Sequence, residues 1–164
     1  MNSPRTHVSG FDHVSVTTSD LAASIAFYAG HLQMTVLESG ESEGSALDEL
    51  LGIEDVRIRF ADLDLGEGRV LELIEFVQPT GRPVSKEQWD PGATHIGLRV
   101  SDIDSLYDRL REGGVRVISK PVRLTEEGAW DGARVLYAID PDGTWVELVQ
   151  RPDVTQKRGI SDEA

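Results

Sequence analysis

Four short segments of the chain alternate apolar and polar residues, and each carries a histidine or a glutamate. They are His13-Val14-Ser15-Val16, Leu71-Glu72-Leu73, His95-Ile96-Gly97-Leu98 and Val146-Glu147-Leu148. Because successive side chains of a β-strand face opposite sides, each segment is predicted to be a strand with aliphatic residues on one face. The reverse face of each strand then carries one possible metal ligand: His13, Glu72, His95 or Glu147.

The same arrangement occurs twice along the chain. His13 precedes Asp20 by the same interval by which His95 precedes Asp102, and each half ends in an apolar strand with a central glutamate. Self-similar halves indicate two copies of one supersecondary unit. Two such sheets curled toward each other would bring two imidazoles and two carboxylates together.

Each half is predicted to contain a strand, a helix and three further strands. In the first half we expect strands at about 11–17, 33–38, 55–63 and 69–77, a helix from Ser19 or Asp20 to about Gly30, and an amphipathic turn at 46–51. In the second half we expect strands at 94–100, 115–118, 133–139 and 144–150, with a helix at 102–112. The connection at 119–132 is long for a hairpin, which is typical of a lid or a binding loop.

These elements predict a single domain over residues 9–150. Module one covers 9–78, a linker rich in proline and glycine covers 79–92, and module two covers 93–150. Residues 1–8 and 151–164 are predicted to be a flexible N-terminus and a flexible C-terminal tail.

Composition narrows the class of protein. A chain of 164 residues with 39% hydrophobic content can bury one substantial core. Cysteine is absent, so a metal would have to be held by nitrogen and oxygen. The formal net charge of −13 argues against nucleic acid as a partner. No apolar leader or membrane-length apolar run is present, so we expect a cytoplasmic protein that does not bind membranes.

With these features the chain resembles the vicinal oxygen chelate superfamily, which includes glyoxalase I, methylmalonyl-CoA epimerase, extradiol dioxygenases and bleomycin resistance proteins. The resemblance covers about residues 11–150. It rests on Asp12-His13-Val14, Ser24 to Tyr28, Val70 to Leu73, Thr94 to Leu98, Asp140-Pro141-Asp142-Gly143 and Val146-Glu147-Leu148. It implies an α+β fold in which paired βαβββ modules form an incomplete β-barrel around a metal site.

Carried over residue by residue, the resemblance implies a set of four metal ligands: His13, Glu72, His95 and Glu147. It implies one divalent ion per site, which could be zinc, nickel, manganese, cobalt or iron, and we expect a homodimer. A carboxylate that loosens from the ion is the natural base. Glu147 is the first choice for that role, and Glu72 is the alternative.

This ligand set predicts a metal-dependent isomerase for a small-molecule substrate. An epimerase is favoured, acting by proton abstraction next to a metal-chelated carbonyl through an enolate or enediolate, on a hydroxy-carbonyl or acyl compound. Three alternatives stay open: a glyoxalase I-like lyase, a non-haem iron dioxygenase of the extradiol type, and a non-catalytic drug-sequestering protein. Glu72 as a fourth ligand disfavours the dioxygenase, which uses three. The segment Leu73-Ile74-Glu75-Phe76 fits glutathione binding poorly.

Four further residues are candidates for substrate binding. Arg57 and Arg59 alternate with apolar residues, and we expect both on the face opposite the apolar one, where their guanidinium groups could bind a carboxylate or phosphate. Arg99 shares the face of His95, and Trp145 shares that of Glu147. The alternatives are a solvated strand edge for the arginines and plain packing for the tryptophan. His7, His31 and Glu75 are interpreted as structural or surface residues.

Overall fold

The structure is a computed structural model that describes residues 7–84, 87–125 and 127–152. The chain divides into two compact units, residues 1–83 and 84–164, so the boundary falls inside the segment predicted as a linker. Of the predicted flexible ends, residues 1–6 and 153–164 lie outside the described part of the chain. No helix within the described ranges is both long enough and apolar enough to cross a bilayer.

The first unit is built on one four-stranded sheet. Its elements are β1 (His13–Thr18), α1 (Leu21–Ile25) continuing as a π-helix (Ala26–His31), β2 (Val36–Glu43), α2 (Ser45–Leu51), β3 (Arg57–Gly66) and β4 (Arg69–Gln78). The strand order is β1-β4-β3-β2. β1 runs parallel to β4, and the other two pairings are antiparallel.

The second unit repeats this topology. Its elements are β5 (His95–Arg99), α3 (Ile103–Glu112), β6 (Val122–Arg123), β7 (Arg134–Ile139) and β8 (Trp145–Gln150). The strand order β5-β8-β7-β6 matches that of the first unit, with a parallel first pair and antiparallel others. The predicted α+β class and the predicted duplication are therefore confirmed.

The aliphatic faces of the central strands form the cores of the two units. Leu71 and Leu73 on β4 have no solvent exposure, and neither have Val146 and Leu148 on β8. Burying side chains of this size stabilises each unit by about 1.5–3 kcal/mol per residue. Because alternation places Glu72 and Glu147 between these leucines and valines, the packing of the core turns both carboxylates to the reverse face.

An aspartate begins the first helix of each unit. Asp20 Oδ1 accepts a hydrogen bond from the backbone N–H of Ala23 at 3.1 Å, and Asp102 Oδ1 accepts one from Ser105 at the same distance. The first backbone N–H groups of a helix have no partner inside the helix, so these oxygens satisfy them. Asp20, rather than its predicted alternative Ser19, makes the cap.

In each unit, a side chain from the last strand also accepts a hydrogen bond from the first turn of that unit's helix. Glu75 Oε2 accepts from the N–H of Leu21 at 3.2 Å, and Gln150 Oε1 accepts from Ile103 at 2.9 Å. The prediction that Glu75 lies at the surface is wrong, because only 19% of its side chain is exposed. A carboxylate near a helix N-terminus is favoured by the helix dipole, which explains its place there.

Two predicted elements differ from the structure. Residues 115–118 do not form a strand, since Val117 makes only an isolated bridge to Ala138 and Pro121, which has no N–H to donate, follows closely. The two-residue strand β6, inside the predicted loop, pairs with the other end of β7, at Arg134 and Val135. The first helix also changes to π-helical hydrogen bonding, in which Leu32 donates to the carbonyl of Phe27 five residues earlier.

Candidate metal centre

The first unit brings His13 and Glu72 together. They lie on the parallel neighbours β1 and β4, and Ser15 rather than His13 stands directly beside Glu72 in the register. His13 Nε2 is 3.9 Å from Glu72 Oε2. On the other side of the ring, His13 Nδ1 is 2.8 Å from Asp12 Oδ1. The aspartate holds the proton on Nδ1 and thereby leaves the Nε2 lone pair facing Glu72.

The carboxylates around His13 raise the pKa of its imidazole. The hydrogen bond to Asp12 contributes most, and the negative charges of Glu72, Asp12 and Asp62 contribute further. Each of these groups favours the protonated ring over the neutral one. The same negative surroundings also favour a bound cation, which would replace the proton between the imidazole and the carboxylates.

The second unit brings His95 and Glu147 together in the same way. His95 Nε2 is 3.7 Å from Glu147 Oε2. The Nδ1 atom of His95 is 3.4 Å from the amide Nε2 of Gln88, whose Oε1 is buried with no partner among the described residues. If the amide oxygen of Gln88 rather than its nitrogen faces Nδ1, the proton of the imidazole lies on Nδ1 and Nε2 is left facing the glutamate.

Aromatic rings surround the second pair. The hydroxyl of Tyr137 donates a hydrogen bond to Glu147 Oε1 at 3.1 Å. The Tyr137 ring meets the His95 ring edge to face, with centroids 5.8 Å apart, and meets Trp145 at 5.3 Å. Burial and the neighbouring Glu147 charge raise the pKa of the Tyr137 phenol, so it keeps its proton at neutral pH. Trp145 therefore lies beside the pair, on the face predicted for it.

The geometry of each pair fits a shared cation. Two ligands of one ion, each at about 2.0–2.2 Å from it, lie no more than about 4.3 Å apart, and both Nε2–Oε2 distances are within that limit. Imidazole nitrogen and carboxylate oxygen suit zinc, nickel, manganese, cobalt or iron. Among all the described residues of the chain, no group of three or more ligand-type side chains is placed to hold an ion.

Two of the three predicted arginines, Arg57 and Arg59, lie away from the proposed ligands. Arg57 lies opposite Gln78 in the register, six residues along β4 from Glu72, or about 20 Å. Its guanidinium donates to Gln78 Oε1 and lines a cavity of about 370 Å³ at that end of the first unit. Arg99 is exposed on the face of His95, as predicted, and it lies opposite Val149, two residues along β8 from Glu147.

Arg59 alternates with the buried Ile58 and is itself exposed, as predicted, but its face of β3 is not the face that carries Asp62 beside Glu72. Arg59 lies opposite Glu75, on the face of β3 that carries the fully buried Ala61 and Leu63. Its guanidinium is 3.3 Å from Glu41 and 3.4 Å from Glu75. Apolar residues occupy both faces of β3, since Ile58 on the other face is also buried, so alternation alone could not identify the polar side.

Sequence reasoning missed the residues that stand beside the four predicted ligands. Tyr137 and Asp62 neighbour the two glutamates, while Gln88 and Asp12 contact the two histidines. Tyr137 carried a usable signal, because it lies at the same offset before Glu147 as Asp62 lies before Glu72. Gln88 carried none, since it lies in the segment interpreted only as a linker.

Comparisons with known proteins agree with this fold. Residues 10–148 match the Glyoxalase/Bleomycin resistance protein/Dioxygenase superfamily, and the chain belongs to that family. It is 30% identical over 146 residues to a 2-epi-5-epi-valiolone epimerase from an Actinomyces species, covering 85% of this chain and 78% of the relative. A probable lactoylglutathione lyase from Synechocystis is 28% identical, and the match covers 84% of this chain and 92% of that relative. A glyoxalase family protein of known structure from Bacillus cereus superposes with a TM-score of 0.76 at 19% identity, covering 91% and 98%.

Proposed function

We propose that this protein is a divalent-metal-dependent isomerase, and specifically an epimerase that inverts a carbon next to a carbonyl group. The observation that carries the proposal is the presence of one matched histidine–glutamate pair in each unit, at equivalent positions of the duplicated sheet. The relative named as a 2-epi-5-epi-valiolone epimerase supports this reaction class.

The proposed ligands are His13, Glu72, His95 and Glu147. Catalytic metal sites commonly use three or more protein ligands, and the proposed set of four would supply that number. When bound, the ion would act as a Lewis acid that stabilises negative charge developing on a substrate oxygen.

The proton transfer is assigned to a carboxylate of the same set. Glu147 is the proposed base, and Glu72 is the alternative, because a carboxylate beside the reacting carbon can take the proton from one face. Return of the proton to the opposite face of that carbon completes the epimerisation. Trp145, next to Tyr137 on the Glu147 face, is proposed to form one wall of the substrate site. Arg99 is proposed to bind a polar group of the substrate.

A lactoylglutathione lyase-like reaction is the second candidate, favoured by the Synechocystis relative. It uses the same kind of proton transfer, but it requires a site for a glutathione adduct. Glu75, in the segment after Glu72, is bound to the start of α1 and to Arg59. This engagement leaves the segment without a free polar group where a glutathione contact would be expected, so the epimerase is preferred.

The test combines metal analysis with proton exchange. Protein purified without added metal is analysed for stoichiometric ions and incubated in heavy water with 2-epi-5-epi-valiolone, α-hydroxyketones, acyl thioesters and the adduct of methylglyoxal with glutathione. We expect chelator-sensitive deuterium incorporation at the carbon next to the carbonyl. Turnover of the glutathione adduct alone would assign the lyase. Absence of metal-dependent exchange on every compound would refute both functions.

A further inference from the structure

The two glutamates have different neighbours at the equivalent position of their sheets. The register places Tyr137 directly opposite Glu147 and Asp62 directly opposite Glu72. A phenol can donate a hydrogen bond to a carboxylate, whereas an ionised carboxylate only accepts. At equivalent positions of the two sheets, Glu147 therefore has a hydrogen-bond donor as its neighbour, whereas Glu72 has a second carboxylate.

The contacts of Glu147 restrict its carboxylate on three sides. Oε1 accepts from the Tyr137 hydroxyl at 3.1 Å, and Oε2 lies 3.7 Å from His95 Nε2. Gly97 stands beside the carboxylate without a side chain, since a Cβ there would lie 3.5 Å from Oε2. Only 15% of the Glu147 side chain is exposed, compared with 29% for Glu72.

The Tyr137 ring is itself held in place. Its edge-to-face contacts with His95 and Trp145 fix the ring plane, and such contacts contribute about 0.5–1.5 kcal/mol each beyond burial. The hydroxyl therefore points at Oε1 without a large loss of side-chain freedom on binding. A donor held in this way determines which carboxylate oxygen of Glu147 remains available to bind a metal ion.

We propose that Tyr137 is a positioning residue that holds Glu147 through Oε1 and presents Oε2 as a single ligand atom. This inference rests on the proposed metal site. Outer residues that orient a ligand typically change metal affinity by about 10–100-fold, and Tyr137 stands in that relation to Glu147. Asp62 cannot do the same for Glu72, because its carboxylate offers no donor while it is ionised.

The first measurement compares Tyr137→Phe with wild type. The substitution removes only the hydroxyl and keeps the ring contacts. We expect zinc and cobalt affinity, measured by chelator competition, to fall about 10-fold or more, while the metal-free protein stays folded with a thermal midpoint lowered only by the loss of one hydrogen bond. The visible absorption of the cobalt protein should shift as well, because it reports the coordination of the ion. Tyr107→Phe, on α3 outside the sheet, is the matched control and should change neither property.

The second measurement is a double-mutant cycle with Glu147→Gln. If Tyr137 acts through Glu147, its loss weakens metal binding much less in the Glu147→Gln background than in wild type. Equal loss in both backgrounds, or full affinity and an unchanged cobalt spectrum in Tyr137→Phe, would overturn the inference. Failure of the proposed function is distinguishable, because the wild-type protein would then bind neither ion stoichiometrically.

Discussion

The first unit surrounds its histidine–glutamate pair with carboxylates, whereas the second surrounds its pair with aromatic rings. Asp12 and Asp62 accompany the first pair, and Tyr137 and Trp145 accompany the second. Strand order, helix caps and ligand positions are otherwise the same in both units. The duplicated backbone therefore sets the position of each proposed ligand, while the residues that contact the ligand differ between the two units.

This difference suggests a division of roles between the pairs. Carboxylates near His13 make the first pair the more strongly cation-attracting one, because their negative charges attract a cation and also raise the pKa of the imidazole. The phenol and the indole beside Glu147 exclude water and offer one fixed hydrogen bond.

Removal of any one of the four proposed ligands should abolish turnover or metal occupancy. The variants are His13→Ala, Glu72→Ala, His95→Ala and Glu147→Ala. We expect each to lower metal affinity by more than the ~10–100-fold typical of an outer residue. Metal content after dialysis and the rate of proton exchange measure the effect. His7→Ala and His31→Ala are the controls and should leave metal content and proton exchange unchanged. If only the variants of one unit lost metal and activity, the two pairs would not act together.

The buried leucines beside the glutamates test whether the two cores contribute alike. Leu73→Ala on β4 and Leu148→Ala on β8 remove side chains with no solvent exposure at equivalent positions. We expect each to reduce the free energy of unfolding by about 2–5 kcal/mol, measured by denaturant titration. Leu50→Ala, where 79% of the residue is exposed, should change it by less than about 0.5 kcal/mol. A loss below 1 kcal/mol at either leucine would contradict the packing described above.

A buried hydroxyl pair distinguishes the first unit from the second. Thr18 Oγ1 lies 2.5 Å from Ser24 Oγ between β1 and α1, where the second unit has the apolar residues Val100 and Leu106. Thr18→Val deprives the buried Ser24 of this partner and should cost about 1–3 kcal/mol of stability. Combining it with Ser24→Ala should cost less than the sum of the two single changes. A strictly additive result in thermal unfolding would show that the hydroxyls do not depend on each other.

Much of this fold could be predicted from two simple patterns. Alternation identified the buried face of β4 and β8 because each has one apolar face, with Leu71, Leu73 and their counterparts fully buried. The repeat then supplied the order of the second unit, including the helix after Asp102. Both patterns depend on local sequence, and local sequence is enough where one face must be buried.

The remaining features depend on contacts between distant segments. The face of Arg59 followed from its pairing with Glu75, and β3 has apolar residues on both sides, so its sequence alone is ambiguous. Residues 115–118 make only an isolated bridge to Ala138, while β6 pairs with Arg134 and Val135, and both outcomes depend on contacts with β7 further along the chain. The offset of Tyr137 before Glu147 can be read from the sequence, but its contact with Glu147 depends on the register of β7 and β8.

The smallest expected effect concerns the pH dependence of the first pair. The hydrogen bond to Asp12 raises the pKa of His13. In the metal-free protein, the stabilisation from the His13–Asp12 contact is therefore complete below about pH 6.5 and is lost as the pH rises through the raised pKa. The second unit has Thr94 at the place of Asp12. Asp12→Thr should therefore lower the pKa of His13 in an NMR titration of the metal-free protein, whereas Glu38→Gln should not. An unchanged His13 pKa in Asp12→Thr would assign the shift to Glu72 and Asp62 instead.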